Sequence, residues 1–343
     1  MKPIKYLIPF ICVVALMLGN FGCDNESPEM AERYEINIPD HFPDLPIPAD
    51  NPLTVDKVEL GKQLFFDPIL SKDNTVSCAS CHNPDFAFTD FSRVSRGVEG
   101  ATGERNSPAV INLAYSNSFF WDGSNPSLEE QAINPIINQL EMASDLADVI
   151  QKLENHPTYP QEFQKVFDGP PTTDRLVKAI ASYERTLISA NSPYDKFVQG
   201  DESALTDAEK RGMELFFNHE RGECFHCHTE PFFTDFSFQN NGLYEEYRDE
   251  GRKGVTGRDN DEGKFKVPTL RNIEYTAPYM HDGSMRTLEE VVEHYAKGGN
   301  GHRNQSVLLD NIVFSEQEKA DLVAFMKALS DPEFVNNPAF RPE

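Results

Sequence analysis

A mainly helical chain of two tandem domains with long ordered loops is the fold class predicted by this 343-residue sequence, on three observations. Apolar residues recur at helical spacing, and Phe is abundant (25 against a single Trp) without the β-branched alternation of strands. The chain repeats itself at long range. Each copy of the repeat carries one Cys-x-x-Cys-His pentapeptide at a matching place.

The repeat is dense enough to set the organisation. Gly61-Lys62-Gln63-Leu64-Phe65-Phe66-Asp67 is echoed by Gly212-Met213-Glu214-Leu215-Phe216-Phe217-Asn218, and Phe88-Thr89-Asp90-Phe91 by Phe233-Thr234-Asp235-Phe236. Trp121-Asp122-Gly123-Ser124, leading to Leu128-Glu129-Glu130, returns as His281-Asp282-Gly283-Ser284, leading to Leu288-Glu289-Glu290. A period this long means duplicated domains and not a solenoid. The expected domains are residues 53–195 and 196–343, with a linker over 191–204 that contains Pro193 and Gly200.

The elements follow in order. The apolar run Tyr6–Leu18, behind Lys2 and Lys5, falls short of the about 20 residues a membrane-spanning helix needs, so residues 1–22 read as an export signal. Cys23 sits where a lipoprotein signal places its acylated cysteine, with the small Gly22 before it. Asn20 and Phe21 fit that pattern poorly, and cleavage to a soluble periplasmic protein is the competing reading. Residues 23–52, rich in Pro and acidic side chains, read as a tether. The expected location is therefore the periplasm, with a lipid anchor on Cys23. Each domain then opens with a short amphipathic helix, passes through the Cys-His loop and a long ordered loop, and enters another helix at its Leu-Glu-Glu. Thr206 and Glu209 form a capping box opening the second copy; Ser315 and Glu318 open a closing helix whose Leu322, Phe325, Met326 and Leu329 keep helical spacing. The Gly- and charge-rich stretch 245–262 reads as a solvated loop, with a docking role as the alternative.

Chemistry enters with the cysteines. Cys78-Ala79-Ser80-Cys81-His82 and Cys224-Phe225-His226-Cys227-His228 both match the attachment signature of c-type haem, in which two thiols add to the porphyrin vinyl groups and the adjacent His ligates iron. Cys81 and Cys224 are too far apart for a zinc ribbon. No βαβ alternation supports a thioredoxin-like pair, and structural disulfides would not explain a His after both pairs. The domains are therefore read as cytochrome c-like, with two covalently bound haem c.

The second axial position separates the copies, because a filled one suits electron transfer and an open one small-molecule chemistry. Seven residues past Leu288 stands Tyr295; seven past Leu128 stands Pro135, which has no ligand atom. Haem two can then take a phenol oxygen, while haem one is open, with Gln131 and Glu141 nearby. A carboxylate there can move a proton between the two oxygens of a peroxide. On spacing alone, Glu141 is equally a solvated acid and Tyr295 a half-buried core residue, and Met280 and Met285 are rival ligands. The net charge of −25 argues against nucleic acid, which needs positive charge; it favours a basic partner or simply solubility.

From about Pro52 to the C-terminus the sequence resembles the bacterial dihaem cytochrome c peroxidases, including their MauG-like branch. The resemblance rests on both Cys-His motifs, Arg105-Asn106-Ser107-Pro108, Phe120-Trp121-Asp122-Gly123, Leu128-Glu129-Glu130-Gln131-Ala132, Glu141-Met142, the run Phe265–Asn272, and Tyr279-Met280-His281-Asp282-Gly283. It implies His82 as proximal ligand of a peroxidatic haem and His228 as that of an electron-transferring haem. It also implies Trp121 as the relay between them, and Gln131, Pro135 and Glu141 as the distal peroxide pocket. Asn106, Thr276 and Pro278 match the residues that hold an inter-domain calcium. The resemblance also allows a homodimer.

Two departures stand out. Better-known members carry a blocking His in the loop after the first motif, where this chain has Val98, and no His occurs between His82 and His156. Those members also have Met where this chain has Tyr295, and a phenolate favours ferric iron over ferrous. Both departures resemble the MauG-like branch. The leading expectation is a peroxidase that reduces hydrogen peroxide to water with electrons from a small c-type cytochrome or cupredoxin. MauG-like oxidation of a protein partner is the alternative, and a non-catalytic dihaem electron carrier the third reading.

Overall fold

The computed structural model describes residues 31–310 and 312–342. The expected export signal, with Cys12 and Cys23, lies outside the described residues.

In chain order the helices are α1 Val55–Phe66, α2 Cys78–Cys81, α3 Leu128–Ile137, α4 Leu146–Glu154, α5 Tyr159–Phe167, α6 Thr173–Glu184, α7 Pro193–Val198, α8 Asp207–Phe216, α9 Lys253–Thr256, α10 Leu288–Ala296, α11 Glu316–Lys327 and α12 Pro332–Val335. One short antiparallel ribbon pairs β1 Phe238–Gln239 with β2 Phe265–Lys266, Phe238 opposite Lys266. The expected mainly α class is what forms. The capping expectations hold in detail: Thr206 and Glu209 exchange hydrogen bonds at the start of α8, and Ser315 and Glu318 do so at α11.

Two apolar cores form. Leu64, Phe65, Phe88, Ile136, Phe163 and Ile180 belong to one, and Phe216, Phe233, Leu288, Val292, Phe325 and Leu329 to the other. Each is organised by one helix crossing, α1 on α6 and α8 on α11. At both crossings a repeated glycine meets the partner backbone. A Cβ on Gly61 would lie 1.9 Å from the Ala179 carbonyl oxygen, and one on Gly212 the same 1.9 Å from that of Asp321. Only a residue without Cβ permits that approach.

Three segments differ from expectation. The part of the expected tether from residue 32 onward is packed down as a strap. Arg33 bridges Thr54, and Phe42 is buried against Phe232 under the Arg271 guanidinium. The imidazole of His41 meets Asp195 at 2.9 Å. The expected linker carries α7, whose Asp195 is wholly buried and accepts two 2.8 Å hydrogen bonds from the equally buried Arg271. Burial alone would push the Asp195 carboxyl up; Arg271 outweighs it and holds it at about 2. Last, Phe334, Val335 and Phe340 pack on the first core, with the Tyr183 hydroxyl donating to the Phe340 carbonyl at 2.9 Å. Apolar side chains go where area can be buried, whatever their position in sequence.

Substituting Ala for Gly61 or Gly212 should force apart its helix crossing and cost about 1–3 kcal/mol. Gly103→Ala, where a Cβ meets nothing within 4 Å, should leave the unfolding midpoint unchanged. Denaturant unfolding of the three variants checks both statements.

Candidate functional site

One continuous cavity of about 1020 Å³ runs between the two cores and is lined by all four motif cysteines, His82 and His228. Ligand pockets run to roughly 300–1,000 Å³, so this cavity lies at the upper end of that range.

The two motifs are built alike. In the first, Ser77 and Ser80 cap the turn of α2, and the His82 amide closes onto the Cys78 carbonyl at 3.0 Å; the His228 amide does the same to Cys224 at 2.9 Å. His82 Nδ1–H donates to the Phe88 carbonyl at 3.0 Å, and His228 Nδ1–H to the Phe233 carbonyl, also at 3.0 Å. Because a carbonyl can only accept, each Nδ1 carries the proton, and Nε2 keeps the free lone pair a metal needs. Phe88 and Phe233, the repeated Phe of Phe-Thr-Asp-Phe, adopt positive φ (61° and 52°) to present those carbonyls. Burial lowers the basicity of both imidazoles and keeps them neutral. It also pushes the thiols up, Cys81 and Cys227 to about 11 and Cys224 to about 12, so they are neutral and unpaired. Matched thiol pairs beside metal-ready imidazoles, on one large cavity, fit two covalently attached haems.

The cavity wall over the first motif comes from α3 and the loop behind it. Gln131, Pro135 and Glu141 all line it. Pro135 sits inside α3, and the chain folds back so that the Met142 amide meets its carbonyl at 3.1 Å. That return brings Glu141 beside Asn138, whose Nδ2 donates to Glu141 Oε1 at 2.8 Å. The side chain is half-buried; burial pushes the Glu141 carboxyl up and Asn138 pulls it partly back. The Val98 amide donates to the Glu141 carbonyl at 2.8 Å, and Gly97 lies so close to Leu140 and Glu141 that any Cβ there would clash. Val98 itself is buried.

Over the second motif, α10 brings Tyr295 to the wall with Cys224, Cys227 and His228. Burial pushes the phenol up to about 12, while a hydrogen bond from Asn241 pulls it down. Met280 lines the cavity too, its sulfur 3.2 Å from Asn241 Nδ2. Met285 instead pairs with Tyr279 across a bridge and does not line the wall.

Trp121 sits where the halves meet. Its Nε1 donates to the Asn106 carbonyl at 2.7 Å, and its own carbonyl accepts from the Lys266 amide at 2.7 Å. Arg105 joins Asp122 at 2.6 Å and Asp249 at 2.7 and 2.9 Å, and Arg252 donates to the Asp122 and Gly123 carbonyls. The stretch 245–262 is largely exposed, as expected, and through Asp249 and Arg252 it also clamps the tryptophan turn. Asn106, Thr276 and Pro278 all line the same cavity.

Sequence reasoning missed Asn241, the Arg105–Asp249 clamp and a buried acid, Glu184. Only Glu184 left a trace in the sequence, as a carboxylate continuing the buried spacing of Leu176 and Ile180.

This fold and cavity fit a helical protein of the dihaem class. Residues 55–203 match the family model for di-haem cytochrome c peroxidase. The chain is 40% identical over 296 residues to cytochrome c551 peroxidase of Nitrosomonas europaea, covering 84% of this chain and 85% of that one. It is 36% identical over 320 residues to methylamine utilization protein MauG of Methylophilus methylotrophus, covering 93% and 94%. A crystal structure of a MauG-like protein associated with microbial copper homeostasis superposes with a TM-score of 0.85 at 35% identity, over 90% of this chain and 98% of that one. The chain belongs to the di-haem cytochrome c peroxidase family and is a peroxidase-like oxidoreductase. Among the described residues no helix is long and apolar enough to cross a membrane.

Replacing Cys224 and Cys227 by Ala should leave one covalent haem where the wild type keeps two, read as intact mass after acid–acetone extraction.

Proposed function

We propose that this protein reduces hydrogen peroxide to water in its first half, with electrons entering through its second half from a small c-type cytochrome or cupredoxin. One contrast carries the division of labour: at matched positions on α3 and α10 the cavity is lined by Pro135, which offers no ligand atom, and by Tyr295, which offers a phenol oxygen. Residues 53–195 are then the peroxidatic domain and 196–343 the electron-transfer domain. The cysteine pairs Cys78/Cys81 and Cys224/Cys227 attach the haems. His82 and His228 are the proximal iron ligands, and Tyr295 is the second ligand in the electron-transfer domain.

Bound haem supplies the iron that receives peroxide and the electrons that reduce it. The chain's own residues manage position and protons. The Gln131 amide orients the peroxide. Glu141 takes the proton from the near oxygen and returns it to the far one, which leaves as water. A carboxyl raised by burial is suited to holding a proton and giving it up again. Trp121, fastened from both halves, is the relay for electrons. Asn106 spends its Nδ2 on the Ser92 and Arg93 carbonyls, leaving Oδ1 as a hard oxygen donor that suits calcium with the carbonyls of Thr276 and Pro278. Export to the periplasm with a lipid on Cys23 completes the reading.

A second reading, MauG-like oxidation of a protein partner, draws on Tyr295 and on the absence of any His in the loop at Val98.

Stopped-flow oxidation of reduced cytochrome c by peroxide tests the proposal. Glu141→Gln should lower kcat/KM by about 10²–10⁴-fold. The wild-type acid limb, where activity rises with pH as Glu141 deprotonates, should lie above the ordinary carboxylate range and vanish in the variant. No turnover even after pre-reduction would sink the donor-cytochrome version. Tyr295→Met should raise the potential of the second haem; an unchanged potential would mean that Tyr295 is not a ligand.

A further inference from the structure

Glu184 ends α6 on the face that carries Leu176 and Ile180, and like Ile180 it lines the cavity on the wall that includes Cys78. It is 6% exposed, and its Oε2 is buried with no hydrogen-bond partner among the described residues. Such an orphan costs stability that a Leu at the same place would not.

The neighbouring charges do not rescue it. Arg185, which caps the same helix, gives its guanidinium to Glu129 of α3 at 2.7 and 2.8 Å. Lys57 of α1 donates to Asn51 and to the Pro52 carbonyl. Cys78 of α2 is a neutral buried thiol, and the Tyr183 hydroxyl is spent on Phe340. The other acids lining the cavity are Glu104, Asp122, Glu141, Glu223 and Asp249, of which Asp122 and Asp249 are paired with Arg105. Burial pushes the Glu184 carboxyl up to about 8; Arg185 draws it down and the Glu129 carboxylate adds to the rise. An acid buried there responds to any charge that appears in the cavity.

We propose that Glu184 is a redox-linked proton site of the haem held by Cys78, Cys81 and His82. When that haem gives one electron to a one-electron acceptor such as a redox mediator, the O–H bond of Glu184 breaks and its proton goes to solvent. When the electron returns, the carboxylate takes a proton back. The charge in the wall then stays constant through turnover, which stabilises the oxidised enzyme. This role is separate from that of Glu141, which handles the protons of peroxide itself, and it rests on the first motif holding haem.

The test is redox-difference infrared spectroscopy of the dihaem holoenzyme, with a potential titration of the first haem across neutral to alkaline pH. The wild type should show the C=O band of a protonated carboxyl in its reduced form only, shifted in D₂O, and its potential should fall as pH rises. Glu184→Gln should lose the band and flatten the potential, while Glu141→Gln keeps both. A wild-type spectrum without the band overturns the proposal whatever the variants do. So does a band and pH dependence that persist in Glu184→Gln. Absence of covalent haem on Cys78 and Cys81, seen by mass, would overturn the underlying reading as well.

Discussion

A histidine can offer one ring nitrogen to a metal in a fixed direction only if something holds the other. In this protein that constraint is met twice by the same device, a backbone carbonyl at 3.0 Å from Nδ1 supplied by Phe88 or Phe233. Much of the fold serves those two bonds. Each carbonyl is presented by a residue at positive φ, a conformation a bulky side chain adopts only when its surroundings enforce it. The surroundings are the aromatic cores. Phe88 packs against Phe65 and Phe233 against Phe216, and those partners ride on the helices that cross at Gly61 and Gly212. The repeated glycine, Phe-Phe pair and Phe-Thr-Asp-Phe turn are thus one mechanical unit used in both halves.

Against this shared frame the halves diverge through a few side chains. Pro135 and Tyr295 occupy equivalent turns of α3 and α10, one without a ligand atom and one with a phenol oxygen. Buried acids are distributed as unevenly. Glu141 and Glu184 both line the cavity with raised pKa values, whereas Asp195 is held low by a bidentate arginine. Burial acts on all three; Arg271, hydrogen-bonded to Asp195, outweighs it there, while Glu141 and Glu184, neither of them hydrogen-bonded to a guanidinium, are pushed up. The Asp195–Arg271 pair ties α7 to the loop before α10, and the N-terminal strap adds His41 and Phe42 to it.

Much of this was legible in the chain itself. The capping boxes at Thr206 and Ser315, the repeat and the cysteine-histidine motifs are short-range patterns, and each took the form expected of it. Gln131, Pro135, Glu141 and Tyr295 do share the cavity wall with the motif histidines, while Met285 does not. The misjudged segments were those whose partners lie far off in sequence. Residues 32–52 looked like a tether because composition does not reveal that Phe42 would find Phe232 and Arg271. The stretch 245–262 is indeed largely exposed, but its clamp was hidden because Asp249 and Arg252 meet Arg105 and the Asp122–Gly123 carbonyls only after folding.

The sequence by itself determined the two haem motifs, the duplication and the unequal ligand positions, because covalent attachment and helical periodicity need only residue type and spacing. The tertiary structure decided which carbonyl orients each histidine, which clamp holds Trp121, and that Glu184 is buried without a partner. These depend on burial and on contacts between distant segments, and the free energy of a charge or hydrogen bond is set by what surrounds it once the chain has packed.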